Sequence, residues 1–313
     1  MKKTILLTWG TGFVGGHLLG RLCEEGHTIF LLIQQSSHLD RIVYLEGQYT
    51  PVYFSDLPQV FASEKIDLVI HLATCYKKEH SDEDIENMIY ANITLPTKIL
   101  ELCVLYKVKK FINTGTFFEY DLAVSEFTEN TREQAYNLYA SLKIAFSNIL
   151  GYYADAHQMN IVTLRIFSPY WPRDNIKIIP ILIGWLLHHR EISLQDTSQV
   201  LHFTYISDII DAYMATISYI WTIMSGWYEI INIGSEQSFS IQEVIDYLEI
   251  IAASKIQRNI AMPYQVKIKS ICNIAKAQHI LNWRPTTSLE EWLKLTYNDY
   301  KNAIHTNGTS LSV

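Results

Sequence analysis

The sequence predicts an α/β fold in which a parallel, doubly wound sheet is followed by a smaller C-terminal α/β region. Short apolar runs alternate with helical patterns from Thr4 to Ile166, which is typical of parallel strands covered by helices on both faces. A glycine turn directly follows the first apolar run. After Ile166 the alternation loosens, which indicates a second, less regular region.

Seven apolar runs are predicted to form the sheet, and the segments between them carry helical spacing. Ser240 and Glu243 have the spacing of a capping box, which supports a helix start at Ser240. The predicted strands are 4–8, 28–33, 52–57, 67–73, 109–113, 160–166 and 228–233, with a strand-like segment at 199–205. The predicted helices are 13–25, 82–106, 134–157, 178–190, 206–223, 240–253 and 289–300.

Composition excludes several classes of protein. The chain has 313 residues, of which 49% are apolar, and a formal net charge of -7, so it can bury a large core. The acidic balance and the lack of a basic stripe argue against nucleic acid as a partner. The four cysteines are scattered without zinc-site or redox spacing. We therefore expect a cytoplasmic protein with no metal site and no membrane span.

The glycine turn is the first candidate binding element. Gly10, Thr11, Gly12, Phe13, Val14 and Gly15 follow a predicted strand and open a predicted helix. Small residues in this context let the backbone approach a pyrophosphate, and the first amides of the helix point at it. The turn therefore predicts a dinucleotide site, with an ordinary strand-to-helix turn as the alternative.

The end of the second strand bears on the choice of cofactor. An acidic residue there binds the adenine ribose of NAD, but this chain has Gln34, Gln35, Ser36 and Ser37. Without a carboxylate, nothing at the strand end repels a 2′-phosphate, and Arg41 is near enough in sequence to supply a cation. We predict NADP(H) as the cofactor, with NAD(H) as the alternative.

A tyrosine–lysine pair is the candidate catalytic element. Tyr139 and Lys143 are four residues apart in a predicted helix, so they share one helix face. An ammonium beside a phenol favours the phenolate and lowers its pKa, and such a tyrosine can exchange a proton with a carbonyl or carbinol oxygen. The spacing is common by chance, so its weight depends on the rest of the chain. Tyr136 is a second phenol, but it is two helical turns from Lys143.

The chain resembles an extended short-chain dehydrogenase/reductase of the nucleotide-sugar-modifying type over residues 3–302. Several motifs in the right order carry the resemblance, which implies a Rossmann domain and a substrate domain. The motifs are Thr8 to Gly15, Asp56-Leu57, His71-Leu72-Ala73, Asn92, Thr114-Gly115-Thr116, Glu119-Tyr120, Tyr139 with Lys143, Leu164 to Tyr170, Pro172, Tyr205 with Asp208, Asn232 to Gly234, and Trp283-Arg284-Pro285.

The resemblance implies a role for each matched residue. Tyr139 is the expected acid/base, Lys143 binds the nicotinamide ribose, and Thr116 binds the reacting oxygen. The implied cofactor residues are Gly10, Thr11, Gly12, Phe13, Val14, Gly15, Gln34, Ser36, Asp56, Leu57, Leu72, Ala73, Thr74, Asn92, Thr114, Tyr139, Lys143 and Phe167. The implied substrate residues are Thr116, Phe118, Ser168, Arg173 and Pro180. For Thr116, Ser168 and Asn92 the alternative is a polar side chain that bonds its own backbone.

Four positions depart from the family pattern. Trp9 stands where the family has the first glycine of the cofactor turn, and a tryptophan disfavours positive φ there. Trp171 and Trp292 also stand in place of glycines. Leu201 replaces an arginine that contacts substrate phosphates, which removes a charge-assisted hydrogen bond. These changes bear on cofactor and substrate affinity rather than on the fold.

The residues after Thr116 favour one reaction of the family over the others. Dehydratases carry an Asp-Glu pair there, whereas this chain has Phe117 and Phe118. Epimerases of the UDP-galactose type hold NAD with an acid at the second strand, which is missing. A simple ketone reduction remains, and the resemblance is greatest to bacterial reductases that complete CDP-linked 3,6-dideoxyhexoses for surface polysaccharides. The alternatives are a 4-epimerase, a 4,6-dehydratase and a non-catalytic dinucleotide-binding protein.

The predicted organisation follows from the same elements. We expect residues 1–166 with 205–234 to form the dinucleotide domain, 167–204 with 235–302 the substrate domain, and 303–313 a disordered tail. The helices at 82–106 and 134–157 carry more apolar residues than one stripe needs. The resemblance implies that they pair with their copies in a homodimer as a four-helix bundle. The alternative is that the chain's own loops cover the surplus.

Overall fold

The computed structural model describes residues 2–77, 79–170, 178–188, 190–194, 196–261 and 271–307. The strands are β1 Thr4–Thr8, β2 Thr28–Leu32, β3 Thr50–Val52, β4 Leu68–His71, β5 Lys110–Thr116, β6 Glu126–Phe127, β7 Asn160–Ile166, β8 Pro169–Tyr170, β9 Ile192–Leu194, β10 Val200–His202, β11 Thr204–Tyr205, β12 Tyr228–Ile233, β13 Ser238–Ser240, β14 Arg258–Ile260 and β15 Ile271–Cys272. The helices are α1 Phe13–Glu24, α2 Leu57–Ser63, α3 Asp82–Ile89, α4 Leu95–Leu105, α5 Leu138–His157, α6 Ile178–Leu187, α7 Ile206–Tyr219, α8 Ile241–Ala252, α9 Ala275–Leu281 and α10 Leu289–Asn307.

The central sheet has seven parallel strands in the order β12-β7-β5-β4-β1-β2-β3, and it confirms the predicted fold class. The chain leaves β1 toward β2 on one side and returns to β4 on the other. This reversal is a topological switch point, where ligands bind outside the carboxyl ends of the strands. Thr8, His71 and Thr116 end β1, β4 and β5 at that edge.

The side chains of β1 alternate between two apolar cores, one on each face of the sheet. Ile5 and Leu7 pack with residues of α1 and α7, whereas Leu6 packs with residues of α2, α4 and α5. A third core joins α6, α8 and α10 in the C-terminal region. Trp292 is buried in this core, and the centres of its ring and the Tyr170 ring are 3.9 Å apart. The tryptophan that stands in place of a family glycine therefore packs in the third core.

The predicted third strand is wrong in its position. The strand is Thr50–Val52, and residues 54–56 form a 3₁₀ turn instead of extended backbone. Leu57 then begins α2, with a proline in its first turn. Proline is well suited to the start of a helix, because its fixed φ is helical and its missing N–H has no partner there in any case.

The predicted helix at 82–106 is interrupted. A π-helical turn at Tyr90–Thr94 separates α3 from α4. The α4 helix has a proline at its start, Pro96, which cannot donate to the carbonyl of Asn92 four residues earlier. The side-chain amide of Asn92 donates to the carbonyls of Met88 and Cys75, both at 2.9 Å. The backbone bond at this turn runs from Leu95 N to the Tyr90 carbonyl five residues earlier, which is the π-helical pattern.

Other element boundaries moved by a few residues. Helix α5 begins at Leu138 rather than 134, because the Asn137 side chain accepts from Ala140 N at 2.8 Å and caps the helix. The capping box of Ser240 and Glu243 is confirmed. The last helix extends to Asn307, beyond its predicted end at residue 300.

Among the residues that the structure describes, one helical stretch, Asp82–Leu105, is long and apolar enough to span a membrane by length and composition, and 44% of its most apolar window is buried. Core helices of the same length pass this test as well.

The division into a dinucleotide domain and a substrate domain stays a prediction.

Candidate active site at the carboxyl edge of the sheet

The tyrosine–lysine pair lies in the first turns of α5, at the carboxyl edge of the sheet. Tyr139 is 8% exposed, and Lys143 is buried with its Nζ 6.0 Å from the centre of the Tyr139 ring. The Lys143 ammonium donates to the Thr114 carbonyl at 2.9 Å. Strand β5 therefore holds the lysine, and the helix places the phenol beside it.

A chain of polar contacts fixes the Tyr139 hydroxyl. The Thr74 hydroxyl lies 3.4 Å from it and donates to Asn92 Oδ1 at 3.0 Å. Asn92 is held in turn by its donations to the Cys75 and Met88 carbonyls. The predicted cofactor residue Asn92 thus acts on the backbone and on Thr74 in this structure, and the π-helical turn brings it there.

The electrostatics of the pair differ from the sequence expectation. Burial raises the pKa of the Tyr139 phenol, the Thr74 contact opposes this, and the Glu119 charge adds to it. The net lowering of this pKa that the pair predicts is not observed, because burial raises it and the Lys143 ammonium, 6.0 Å from the ring centre, donates to the Thr114 carbonyl. Burial lowers the pKa of Lys143 to about 8, against the opposing effect of Glu119. Tyr139 is therefore a protonated acid at neutral pH.

Thr116 ends β5 and opens the 3₁₀ turn at Phe117–Glu119. Its hydroxyl accepts from Phe118 N at 3.4 Å, and its own N–H donates to Glu119 Oε1 at 2.7 Å. These bonds form a capping box, which is the self-bonding alternative considered for this residue. The turn still presents Thr116 at the same edge as Tyr139.

Glu119 is held in a buried ion pair below the turn. Its carboxylate lies 2.8 Å from the Arg165 guanidinium, which also pairs with Glu133. The Arg165 guanidinium carbon lies 4.4 Å from the centre of the Tyr120 ring. Burial works to lower the pKa of Arg165, but Glu119, Tyr120 and Glu133 together outweigh it and the pKa is raised. The nearest carboxylate after Thr116 is thus committed to supporting the turn.

A row of aromatic rings extends from Tyr139. The Tyr76 ring lies 5.1 Å from the Tyr139 ring, edge to face, and stacks on Phe118 at 6.3 Å. Phe118 meets Tyr136 at 5.1 Å and Phe117 at 4.4 Å. Sequence analysis named Phe118 but missed Tyr76 and gave Tyr136 only as a competing phenol.

The glycine turn is built around an unusual tryptophan. Trp9 adopts φ of 58°, a left-handed conformation that favours glycine. A Cβ on Gly12 would lie 2.3 Å from the Trp9 ring, and one on Gly15 would lie 2.1 Å from the Trp9 carbonyl. The glycines are therefore required by close contact with Trp9. Gly12 caps α1 without a side-chain hydrogen bond, which leaves the first amides of α1 without a side-chain cap.

Two cavities extend from this turn. The larger, of about 560 Å³, is lined by Trp9, Thr11, Gly12, Leu32, Gln34, Ser36, Ser37, His38, Asp40 and Arg41. The smaller, of about 70 Å³, is lined by Thr8, Trp9, Leu32, Ile33, Gln34, Phe54, Ala73, Tyr90 and Leu95. Arg41 lines the larger cavity together with Gln34 and Ser36, where the 2′-phosphate of NADP is predicted to bind. It also contains Asp40, a carboxylate that sequence analysis did not consider.

Thr8 joins the first and fourth strands at the switch point. Its hydroxyl accepts from Leu72 N and Ala73 N, both at 3.0 Å, and lies 3.2 Å from His71 Nδ1. Burial lowers the pKa of His71 to about 3, assisted by the Lys143 charge, so the imidazole is neutral. The Thr8 hydroxyl thus fixes the backbone of Leu72 and Ala73, which the resemblance assigned to the cofactor groove. The only signal of this role in the sequence is a threonine at the end of a strand.

Other predicted residues lie partly outside this cluster. The Phe167 ring is buried and stacks on Phe117 at 5.1 Å, and Ser168 next to it has a positive φ of 35°. Pro180 is buried in α6, and Arg173 lies outside the described residues. Leu201 packs on the third core.

Of the two predicted adenine neighbours, Asp56 accepts from Ser55 at 2.9 Å and Leu57 is buried in the core. The Thr114 side chain bonds the His71 carbonyl at 2.9 Å and Tyr213 at 2.6 Å.

In the part of the chain that the structure describes, no three His, Cys, Asp or Glu side chains converge as metal ligands. A glycine turn at the switch point and a buried tyrosine–lysine pair beside it define an NAD(P)-dependent oxidoreductase of the extended short-chain dehydrogenase/reductase type. The chain belongs to the NAD dependent epimerase/dehydratase family, whose profile matches residues 5–234.

Individual relatives point to more than one reaction. The chain is 28% identical to a CDP-abequose synthase of Salmonella muenchen, over 94% of this chain and 97% of the relative. It is 31% identical to a UDP-glucuronate 4-epimerase of Thermodesulfobacterium geofontis (strain OPF15), over 78% and 76%. It is also similar to the structure of UDP-glucuronic acid 4-epimerase from Bacillus cereus in complex with UDP-glucuronic acid and NAD, with TM-score 0.83, 25% identity and coverage of 96% and 99%. The family therefore modifies nucleotide sugars, but these relatives are named for different reactions.

Proposed function

We propose that this enzyme reduces a 4-keto-6-deoxy or 4-keto-3,6-dideoxy sugar nucleotide to the 4-hydroxy sugar, with NADPH as reductant and a CDP-linked substrate. The observation that carries the proposal is the environment of Tyr139. Its phenol is protonated at neutral pH, and the first carboxylate after Thr116 is tied to Arg165. Among the described residues at this edge, the site holds one positioned proton donor and no second acid–base pair of the kind that elimination needs.

The chain's residues account for the proton half of the reaction. Bound NADPH supplies a hydride to the carbonyl carbon. Tyr139 gives its proton to the carbonyl oxygen, so one hydride and one proton convert the ketone to a secondary alcohol. The Lys143 ammonium stabilises the phenolate that is left, and the phenolate regains a proton from solvent. Thr74 and Asn92 keep the phenol in place through their hydrogen bonds.

The nucleotide end of the site fits a dinucleotide. The amides at the start of α1 have no side-chain cap, so they can bind a pyrophosphate. The 560 Å³ cavity beyond them carries Arg41 and the hydroxyl of Ser36, which suit a 2′-phosphate. Asp40 in the same cavity favours ribose hydroxyls instead, so NAD(H) is the alternative cofactor.

The relatives support the proposal and one alternative. The CDP-abequose synthase covers nearly the whole chain, and its product name denotes a CDP-linked sugar. The UDP-glucuronate 4-epimerase has the higher identity over a shorter span. Epimerisation at C4 uses the same tyrosine and lysine, with the hydride returned to the opposite face of the sugar. It is the second candidate function.

The test is to mix the purified protein with NADPH and a panel of 4-keto sugar nucleotides. We expect loss of nicotinamide absorbance, fastest with a CDP-linked 3,6-dideoxy ketone, and formation of one 4-hydroxy product. The same panel without protein is the control for chemical reduction. Net interconversion of 4-hydroxy epimers with catalytic NAD, and no oxidation of NADPH, would establish the epimerase instead.

We also propose a homodimer through α3, α4 and α5. The helices pack on one another through the π-helical turn, and Ile89, Leu105 and Tyr152 remain exposed on them. Pairing with a second copy would cover these side chains in a four-helix bundle. Light scattering at micromolar protein should give twice the chain mass of 36.2 kDa, and a monomer mass would contradict the dimer.

A further inference from the structure

Tyr76, Phe118 and Tyr136, which we call the aromatic collar, come from three separate segments. Tyr76 follows β4, Phe118 lies in the 3₁₀ turn after β5, and Tyr136 precedes α5. Their rings nevertheless form one continuous set, with centres 6.3 Å apart for the first pair and 5.1 Å for the second. The first ring of the set also contacts Tyr139 at 5.1 Å.

The collar is an exposed apolar surface beside a buried proton donor. Tyr76 is 45% exposed and Tyr136 is 49% exposed, whereas Tyr139 is 8% exposed. Exposed apolar surface next to a polar catalytic group is typical of a ligand site.

We propose that the aromatic collar selects sugar nucleotides that lack a hydroxyl on C3, next to the reacting ketone, and that carry a methyl group on C5. The inference rests on the proposed reduction at C4, because the Tyr139 hydroxyl then meets the C4 oxygen. Groups on C3 and C5 lie one bond from C4, so they fall within reach of the ring that contacts Tyr139. These groups are a methylene and a methyl-bearing carbon in a 3,6-dideoxyhexose.

The physical basis is the difference between a C–H bond and a hydroxyl against an aromatic face. A methyl or methylene group gains from burial against the rings. A hydroxyl in the same position loses its water and finds no equivalent partner on a ring face. Discrimination by an apolar surface against one added hydroxyl is typically up to about a hundredfold. The collar should therefore discriminate by about tenfold or more.

The test compares two substrates that share one nucleotide and differ only in the C3 hydroxyl: a 4-keto-6-deoxy and a 4-keto-3,6-dideoxy sugar nucleotide. For the wild-type protein, kcat/KM should favour the dideoxy ketone by at least about tenfold. Phe118→Ser places a hydroxyl in the collar, and it should reduce this ratio to about threefold or less. Tyr76→Phe keeps the ring and should retain the ratio.

Tyr106→Ala is the matched control, because Tyr106 is an exposed tyrosine at the end of α4, outside the collar. It should leave the ratio unchanged. Phe118→Leu covers the case in which Phe118→Ser does not fold: it keeps apolar volume, and an intact preference in this variant together with normal folding supports selection by apolar contact. A ratio near one in the wild-type protein, or an unchanged ratio in Phe118→Ser, would overturn the proposal.

A binding measurement separates this inference from the proposed reaction. Calorimetry with the corresponding 4-hydroxy sugar nucleotides, in the presence of NADP⁺, needs no turnover. Tighter binding of the 3,6-dideoxy sugar, lost in Phe118→Ser, would support the collar even if the enzyme proved to be an epimerase. Equal dissociation constants for both sugars, with reduction of 4-keto substrates intact, would reject the collar and leave the proposed function standing.

Discussion

The two ends of the candidate site are built in different ways. At the chemistry end, Tyr139 and Lys143 are fixed by hydrogen bonds to Thr74 and to the Thr114 carbonyl. At the nucleotide end, the turn around Trp9 depends on backbone conformation, with φ of 58° and close contacts to its glycines. In the family pattern that the sequence resembles, the chemistry end has the expected tyrosine and lysine, whereas Trp9 stands at the nucleotide end in place of the first glycine.

This difference shows where the chain tolerates change. A hydrogen-bonded set of buried side chains loses several contacts at once when one member changes. A turn that depends on backbone can accept a large residue if the neighbouring positions remain glycine. We therefore expect substitutions at the chemistry end to abolish turnover, and substitutions at the nucleotide end to tune affinity.

The largest effect is expected from Tyr139→Phe. The variant loses the proton donor but keeps the ring, so the fold and cofactor affinity should remain close to normal. The rate of ketone reduction should fall by at least about a hundredfold, the usual scale for a positioned acid. Stopped-flow measurement of NADPH oxidation gives the rate, and Tyr152→Phe on the same helix is the control. Near-normal turnover in Tyr139→Phe would show that another group supplies the proton.

The next effect concerns the pH dependence of Lys143. Burial lowers the pKa of its ammonium to about 8, so the positive charge is present below that pH and lost as the pH rises through it. Because the charge stabilises the Tyr139 phenolate, kcat/KM for reduction should be constant below about pH 8 and fall above it. In Lys143→Met the rate should be low and this fall should disappear. A wild-type profile that stays flat to pH 10 would reject this role.

Much of the fold could be predicted from periodicity, and the comparison shows why parts could not. Strands such as β7 are apolar runs with clear ends, and Asn160–Ile166 matched in full. The π-helical turn at Tyr90–Thr94 depends on tertiary bonds of Asn92, which no local pattern encodes. The third strand was misplaced because the apolar pair Tyr53 and Phe54 continues the β pattern into a 3₁₀ turn.

The candidate site was predicted unevenly for the same reason. The identities of Tyr139 and Lys143 follow from spacing and resemblance, but the sign of the Tyr139 pKa shift depends on burial. Asp40 adjoins Arg41 in sequence, but it lies beyond the strand end, and only the folded loop shows that it lines the same cavity. Tyr76, Phe118 and Tyr136 are far apart in sequence and meet only through tertiary structure, which periodicity does not report.

A smaller effect is expected for the choice of cofactor. Arg41 and the neutral donors at Gln34 and Ser36 line the same cavity, so we predict at least about a tenfold preference of kcat/KM for NADPH over NADH, because a charge-assisted bond contributes about 1.5–3 kcal/mol. Arg41→Ala should lower kcat/KM with NADPH and leave that with NADH nearly unchanged. Asp40→Asn removes the negative charge, so it should increase the preference for NADPH over NADH. A wild-type preference for NADH would mean that Asp40 binds the ribose diol.

The smallest effect, and the sharpest test of the nucleotide end, is expected from Trp9→Gly. Glycine adopts the observed φ of 58° without the steric cost of about 1–2 kcal/mol that a side chain carries in this region. It also removes the ring that lies over Gly12, where the pyrophosphate is expected. We therefore predict a higher melting temperature and NADPH binding that is a few-fold tighter by calorimetry.

Trp9→Ala removes the ring but keeps the Cβ, so it separates obstruction by the ring from strain in the backbone. Tighter binding in both variants would identify the ring as the obstacle. Tighter binding in the glycine variant alone would identify backbone strain as the cause of weak binding. Unchanged or weaker binding in both would show that the turn has adapted to the tryptophan and that its ring contacts the cofactor.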